Sequence, residues 1–454
     1  MERKASKYDV VIVGGGPAGI FAALELCQAC DLSILLLEKG KDIDSRDCPF
    51  MEKGISCPPC SPCDLVSGLG GAGAYSDGKL TLSAEVGGRL RDYLGPERTE
   101  DLIRYVDSIY LKFGGSDRVY GSGEQVEELG RRATLADLRL IPMTVRHLGT
   151  ERSRDVLRGI RDFLSGRVEV KLGEVASTIL TENGTVKGIE TKDGQKFECC
   201  YLIIAPGREG ADWLVREAER LRLTLQINPI DVGVRVEVPE PVLRELTDAL
   251  YECKLEYYSK AFDDRVRTFC MCPAGEVTME STGGSDPVTT VNGHSYAERK
   301  TSNTNFALLV STTFTESFRD PIAYGRDLAR LANILSGGVI LQRLGDLQPT
   351  LKGATPGDLS FALPYRHLKS IIEMLGAMDR LAPGVASRHT LLYGIEVKFY
   401  SSRLALSDGL ESEIVNMFAA GDGAGVTRGL VQASASGVVA AREIMKRAGV
   451  ATHS

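Results

Sequence analysis

The chain has 454 residues, 43% of them hydrophobic and 25% charged, a composition that excludes a largely disordered protein. Its 54 basic and 61 acidic residues give a formal net charge of −7, which argues against a nucleic-acid partner because such proteins usually carry a basic surface. The N-terminus is polar, and the first apolar run, residues 10–13, is far shorter than the roughly 20 residues that cross a bilayer. We therefore expect no signal peptide and no integral membrane segment.

The first predicted elements form a βαβ unit. Residues 9–13 (DVVIV) predict a buried strand, residues 17–30 a helix with proline in its first turn, and residues 33–37 (SILLL) a second buried strand that ends at Glu38. A GxGxxG pattern joins the first strand to the helix, and an acid closes the second strand, as in dinucleotide-binding proteins. The cofactor-binding residues predicted here are Gly14, Gly16, Pro17, Ala18, Gly19, Glu38 and Lys39. Glu38 is expected to accept hydrogen bonds from the two hydroxyls of an unphosphorylated ribose.

The residue pattern in the middle of the chain differs from that of the N-terminal βαβ unit. Residues 41–80 are irregular and rich in Cys, Pro and Gly, whereas residues 167–205 predict a meander of short strands with Asn183-Gly184 and Asp193-Gly194 as hairpin turns. A strand at 414–419 precedes a long helix of small and apolar residues that reaches about residue 447. Helices are also predicted at 98–113, 151–165, 211–222, 240–251 and 320–336.

Two distant segments accompany the N-terminal pattern: residues 202–207 (LIIAPG) close the meander, and residues 418–423 (FAAGDG) follow the last strand. With them the chain resembles the glutathione-reductase-type FAD superfamily, in both the order and the spacing of the three segments. The resemblance implies FAD as cofactor. It assigns FAD contacts to Gly421 and Asp422 beside the ribityl–phosphate part, Val175 beside adenine, and Gly429, Leu430 and Val431 beside the flavin pyrimidine edge.

Five further strings resemble bacterial and archaeal FAD-dependent dehydrogenases: RDCP, GLGGAGAYSDGKL, DVGVRVE, RTFCMCPAGEV and LLYGIEVKFYSS. The resemblance implies that the glycine-rich loop brings Gly71, Ala72 and Gly73 against the flavin. Lys79 at the end of that loop is a candidate catalytic residue. The loop also fits part of a P-loop, but Leu80 stands where a magnesium-binding hydroxyl is required.

The chain has eleven cysteines, and because no signal peptide is expected, a reducing, cytoplasmic location is expected too. Four of them, Cys48, Cys57, Cys60 and Cys63, lie within sixteen residues. They could hold a [4Fe–4S] cluster, hold zinc, form a redox dithiol, or belong to a reduced loop near the flavin. Cys270 and Cys272 are too close in sequence to bridge each other easily and could approach the same region. The simpler interpretation is that they are strand cysteines on one face.

Two more charged residues are candidate catalytic groups. Glu396 alternates with Lys398 and Tyr400, so the three share one strand face, which either lines a substrate pocket or is the solvated face of an edge strand. Arg428 lies six residues beyond Asp422 and is a candidate anion anchor.

The predicted fold class is α/β, with a discontinuous FAD-binding domain (1–80, 166–207 and 391–454) and a substrate domain (81–165 and 208–390). The predicted function is that of an FAD-dependent oxidoreductase exchanging hydride or electrons with a small organic substrate held between the domains. One nucleotide fingerprint is present, so electrons would come from transiently bound NAD(P)H or from a ferredoxin-like donor. The alternatives are a flavin monooxygenase that uses NAD(P)H and oxygen, and a non-catalytic flavin electron carrier or redox sensor.

Overall fold

The computed structural model describes ten stretches of the chain: residues 6–29, 31–48, 60–76, 78–226, 230–282, 288–295, 300–312, 321–347, 357–398 and 403–450. The chain divides into two compact units. Unit 1 comprises residues 1–118, 146–226 and 401–454, and unit 2 comprises residues 119–145 and 227–400.

The helices are α1 (Pro17–Ala29), α2 (Leu90–Leu94), α3 (Pro96–Lys112), α4 (Glu124–Leu135), α5 (Thr150–Leu164), α6 (Ala211–Leu221), α7 (Glu240–Leu250), α8 (Pro321–Ser336), α9 (Tyr365–Leu381) and α10 (Leu430–Arg447). The strands are β1 (Ser6–Val13), β2 (Ile34–Glu38), β3 (Lys79–Thr81), β4 (Val119–Tyr120), β5 (Arg139–Leu140), β6 (Val145–His147), β7 (Glu169–Leu172), β8 (Ala176–Glu182), β9 (Thr185–Thr191), β10 (Lys196–Ile204), β11 (Leu225–Gln226), β12 (Ile230–Pro239), β13 (Leu255–Tyr258), β14 (Arg265–Cys272), β15 (Glu276–Thr282), β16 (Val288–His294), β17 (Asn303–Thr312), β18 (Ile340–Arg343), β19 (Leu391–Lys398), β20 (Arg403–Leu404) and β21 (Met417–Ala419).

Unit 1 is built on a parallel sheet in the order β7-β2-β1-β10-β21. The first half of β10 also pairs antiparallel with β9, and β9 with β8, which gives the meander predicted from the sequence. Asn183 and Gly184 both have positive φ, 49° and 74°, as a two-residue hairpin turn of this kind requires. The apolar runs of β1 and β2 are buried because helices or loops cover both faces of a parallel sheet.

The first and last helices of unit 1 pack closely on each other. A Cβ added at Gly437 of α10 would lie 2.0 Å from the carbonyl oxygen of Ala18 in α1, so only glycine permits this approach. The contact fixes the C-terminal helix beside the N-terminal βαβ unit, although more than 400 residues of sequence separate them.

Unit 2 contains an antiparallel sheet in the order β18-β19-β12-β17-β14-β13-β5. The even residues of β12, from Ile230 to Val238, are buried in an apolar core with α7 and α9, as strand periodicity requires. The odd residues, which include Asp231 and Arg235, form the other face. In its described stretches the molecule is therefore a mixed α/β protein with two seven-stranded sheets, one mainly parallel and one antiparallel, besides smaller sheets of two or three strands.

The structural units divide the chain differently from the sequence-based domain boundaries. Residues 391–398 form β19 within unit 2, because β12 and β18 flank this strand. Residues 81–118 and 146–165 belong to unit 1, where α3 packs on α10 and where Ser153 of α5 donates a hydrogen bond to the carbonyl of Gly73 at 3.1 Å. Of the helices in the described stretches, none is long and apolar enough to cross a membrane.

Candidate dinucleotide site in unit 1

The turn after β1 contains glycines with different roles. At Gly14 an added Cβ would lie 2.0 Å from the Ala205 carbonyl oxygen, and at Gly19 it would lie 1.9 Å from the Gly14 carbonyl oxygen, so both positions are packed against backbone. At Gly16 the nearest atom to an added Cβ is the Gly71 Cα at 3.9 Å. The space beside Gly16 is therefore open, and the first turn of α1 begins there with Pro17. An open glycine at a helix N-terminus fits a pyrophosphate.

Glu38 joins three loops around this turn. Its side chain is buried, and Oε2 accepts the Gly15 N–H at 2.7 Å, while Oε1 accepts those of Gly40 at 2.8 Å and Gly68 at 2.9 Å. A carboxylate has about four acceptor sites, so backbone donors take most of them. One site, rather than the two expected from the sequence, is left for a ribose hydroxyl.

The glycine-rich loop lies against two other predicted cofactor segments. Residues Gly71–Tyr75 form a short 3₁₀ helix. A Cβ added at Gly71 would be 2.9 Å from the Gly16 Cα, and one added at Gly73 would be 2.9 Å from Cδ2 of Leu430. The structure thus brings together Gly16, residues 71–73 and the start of α10, as the sequence predicts for a cofactor site.

Arg46 is a site residue that sequence reasoning missed. It has no exposed surface. Its guanidinium donates to the carbonyls of Asp64 (2.9 Å), Leu65 (3.0 Å), Leu69 (2.9 Å) and Gly71 (2.8 Å). Burial lowers the pKa of Arg46, and the nearby Tyr75 and Glu38 oppose that shift. The only sequence feature that pointed to Arg46 was its place at the start of the RDCP string. It was missed because a charged residue in a loop is ordinarily expected at the surface.

Asp422 lies in the connection between β21, the last strand of the parallel sheet, and α10. Its Oδ1 accepts the Thr427 hydroxyl at 2.9 Å, and its Oδ2 lies 3.5 Å from the Gly429 N–H. Burial raises the pKa of Asp422, while the positive charges of Arg208 and Arg428 oppose the rise. Arg428 thus lies close enough to Asp422 to act on its charge, and Arg208 is a second nearby cation that the sequence analysis did not identify.

The N-terminus of α10 has no side-chain cap. Gly429 precedes it with φ 89°, and Leu430 and Val431 form its first two positions. Uncapped N–H groups at the start of an 18-residue helix present partial positive charge to a ligand. The adjacent Gln432 is 2% exposed and donates from Nε2 to the Val86 carbonyl at 3.0 Å. The segment around Val86 therefore lies beside this helix start.

The other predicted residues of unit 1 have different surroundings. Val175 is half-buried, and its carbonyl accepts the Lys192 N–H at 2.8 Å. The preceding residue donates from its backbone N–H to the Glu38 carbonyl at 3.1 Å, so Val175 lies near the ribose-side acid, as adenine contact requires. Lys39 forms an ion pair with Glu209, with Nζ 3.1 Å from the carboxylate oxygen. Lys79 is the half-buried first residue of β3.

Glu396, a predicted catalytic residue, lies in unit 2 and has no exposed surface. The guanidinium of Arg235, also without exposed surface, lies 3.2 Å from its carboxylate, and the Lys398 ammonium lies at 3.0 Å. Because β19 is an internal strand, Glu396 is neither on a solvated edge nor in an open pocket. Its contacts are those of a structural ion pair. Tyr400, expected on the same face, lies outside the described residues.

The predicted metal-binding cysteines are not gathered into a site where the structure describes them. Cys48 is buried, Cys60 is exposed and Cys63 is half-buried, and Cys57 lies outside the described residues. Within the described stretches, no group of three or more His, Cys, Asp or Glu residues could hold a metal ion. In unit 2, Cys272 is buried with its Sγ 3.4 Å from the Arg235 guanidinium, and Cys270 has a positive φ of 46°. That φ interrupts the strand alternation on which a shared face was predicted.

The parallel sheet, the open glycine at the start of α1 and the acid at the end of β2 define unit 1 as a fold of the dinucleotide-binding class. Residues 229–399, within unit 2, match the family model described as "FAD-dependent protein, C-terminal domain-like". The chain is thus similar to FAD-dependent proteins in a region that does not contain the glycine fingerprint.

Similar sequences cover the chain unequally. A protein of Clostridium beijerinckii, described as an uncharacterized protein, is 27% identical over 482 aligned residues, 97% of this chain and 81% of that protein. The mitochondrial electron transfer flavoprotein-ubiquinone oxidoreductase of Oryza sativa is 52% identical over 49 residues, which are 10% of this chain and 8% of that protein. This second match therefore concerns a short segment only.

Among solved structures, glycine oxidase from Geobacillus kaustophilus is 13% identical, with a TM-score of 0.39 and coverage of 97% of this chain and 95% of that one. Formate oxidase from Aspergillus oryzae is 12% identical, with a TM-score of 0.44 and coverage of 98% and 99%. TM-scores of 0.39 and 0.44 carry no argument about the function of this chain.

Proposed function

We propose that this protein is an FAD-dependent oxidoreductase in which unit 1 holds the cofactor and unit 2 is the substrate domain. The observation that carries the proposal is the convergence of three sequence-distant segments around the open space at Gly16. The family match of residues 229–399 to a domain of FAD-dependent proteins supports FAD as the dinucleotide.

In this proposal, residues of unit 1 would hold the successive parts of FAD. The backbone at Gly16 and the start of α1 would bind the pyrophosphate, Glu38 the adenosine ribose, and Val175 the adenine. Asp422 would accept from the ribityl chain, and residues 429–431 would face the pyrimidine edge of the flavin. When bound, FAD supplies electron or hydride exchange with a small organic substrate.

The protein's own contribution is positioning and charge. The uncapped N-terminus of α10 would offer partial positive charge to the part of the flavin that gains negative charge on reduction. The carboxylate of Asp422 is fixed by the Thr427 hydroxyl, so its orientation is set before a ligand arrives. In this proposal the electrons are supplied by NAD(P)H bound transiently or by a ferredoxin-like protein.

The testing experiment is an ultraviolet–visible spectrum of protein purified without oxygen, together with FAD, iron and acid-labile sulfide assays. The expected result is flavin absorption with one FAD per chain, either as purified or after reconstitution. The iron and sulfide values test the cluster that was one interpretation of the cysteine run. A protein that takes up no flavin, even with excess FAD, would overturn the proposed function.

A further inference from the structure

The loop after β10, residues 207–210, is tied to the residues around the dinucleotide turn. Oε2 of Glu209 accepts a hydrogen bond from the Ser67 hydroxyl, and the same oxygen lies 3.1 Å from Nζ of Lys39. Arg208, the preceding residue, interacts electrostatically with Asp422. Glu209 therefore has partners next to Glu38, whereas Arg208 has its partner, Asp422, in the turn before α10.

The two residues that bind Glu209 are sequence neighbours of residues in the candidate site. Lys39 directly follows Glu38, and Ser67 directly precedes Gly68, whose N–H is held by Glu38 at 2.9 Å. On the other side, the Gly207 carbonyl oxygen would lie 2.1 Å from a Cβ added at Gly423. The loop thus packs on the turn that carries Asp422.

The contacts of this loop suit an element that opens and closes. The Lys39 and Glu209 side chains are 27% and 38% exposed, so their ion pair is accessible to water and to salt. Gly207 has φ 64°, and an added Cβ would meet no atom within 4 Å. Its positive φ, rather than close packing, is what requires glycine at the start of the loop.

We propose that residues 207–210 form a clasp over the ribose and pyrophosphate part of FAD, which Glu209 holds closed through Lys39 and Ser67. Arg208 adds a positive charge on the Asp422 side of the site, and the clasp slows cofactor release. The inference rests on the proposed function, since it assumes that FAD occupies the site.

The test measures the FAD dissociation rate from the holoprotein, by the recovery of free flavin fluorescence after dilution. Glu209→Gln keeps the shape of the side chain but removes the charge that binds Lys39. We expect it to dissociate FAD about three- to tenfold faster, while FAD content at saturation stays at one per chain. Glu209→Asp, which keeps the charge, should release FAD more slowly than Glu209→Gln. Glu219→Gln, an exposed acid on α6, is the matched control and should leave the rate unchanged.

A second readout is the dependence on salt. Higher ionic strength should accelerate FAD release from the wild type and have less effect on Glu209→Gln, because the ion pair is already absent. The clasp is overturned if Glu209→Gln releases FAD at the wild-type rate, or if Glu209→Asp releases FAD no more slowly than Glu209→Gln. Absence of FAD binding in the wild type would instead overturn the proposed function itself.

Discussion

Replacing Gly16 with alanine should separate cofactor binding from folding. An added Cβ there meets nothing closer than 3.9 Å, and Gly16 is not among the glycines with positive φ. The substitution should therefore be tolerated and should raise the free energy of unfolding by about 0.4–1 kcal/mol, since alanine restricts the unfolded chain. The same methyl group would occupy the space through which a pyrophosphate approaches the backbone.

The expected loss of affinity follows from the hydrogen bonds that the methyl group prevents. A hydrogen bond to a charged group contributes about 1.5–3 kcal/mol, so losing one of them weakens FAD binding by about 10- to 150-fold. The two effects have opposite signs. Thermal unfolding of the apoprotein measures the stability, and titration of flavin fluorescence measures the affinity.

Two other glycines provide controls for this prediction. Gly376, in α9 of unit 2, is also open to an added Cβ, so its alanine variant should be no less stable and should bind FAD normally. Gly19→Ala should destabilise the fold, because its Cβ would lie 1.9 Å from a backbone oxygen. If Gly16→Ala bound FAD as tightly as the wild type, the assignment of this space to the pyrophosphate would be refuted.

Three further substitutions test other parts of the structure. Arg46→Met should lower the free energy of unfolding by about 3 kcal/mol or more and weaken FAD binding, because it leaves buried carbonyls without donors. Chemical denaturation measures the stability and flavin titration measures the affinity. An unchanged affinity would contradict the role of Arg46 in the site. Glu396→Leu should cost about 3–5 kcal/mol by leaving buried Arg235 without its carboxylate, measured by urea unfolding, whereas a loss of activity at unchanged stability would favour a catalytic role. Burial lowers the pKa of His367 from 6.5 to about 4, so the unfolded chain takes up this proton first as pH falls. Wild-type stability should thus decrease by about 3 kcal/mol between pH 6.5 and 4, and a His367→Gln variant with the same acid loss would rule out this residue as the cause.

Local sequence patterns predict the cofactor side of this protein well. The βαβ unit and the meander are set by short-range periodicity and by turn residues with positive φ, such as Asn183 and Gly184. The resemblance to a known superfamily, rather than spacing alone, predicted that residues 71–73 and the start of α10 lie at the cofactor site, whereas the glycines of the fingerprint mark close backbone approaches at Gly14 and Gly19. Such signals depend on neighbouring residues and can be identified without knowing the tertiary fold.

The environment of Glu396 could not be predicted in this way. Alternation correctly places it on one face with Lys398, but only the neighbouring strands decide whether that face is buried. Those strands, β12 and β18, lie far away in sequence, and Arg235 on β12 supplies the guanidinium that makes burial of a carboxylate tolerable. The same limit applies to Glu209, whose partners Lys39 and Ser67 are more than 140 residues distant.

Glu38 and Arg46 together explain how irregular loops can hold a defined shape at the candidate cofactor site. Buried backbone groups need partners, and these loops lack a ladder of strand or helix bonds to provide them. Glu38 accepts three backbone N–H groups, and Arg46 donates to four backbone carbonyls, so two buried side chains of opposite charge satisfy both kinds of group. Their charges offset each other within the loops. In the proposed function, the positive character offered to a phosphate would come from the start of α1, and it would not depend on the arginine that holds the loops in place.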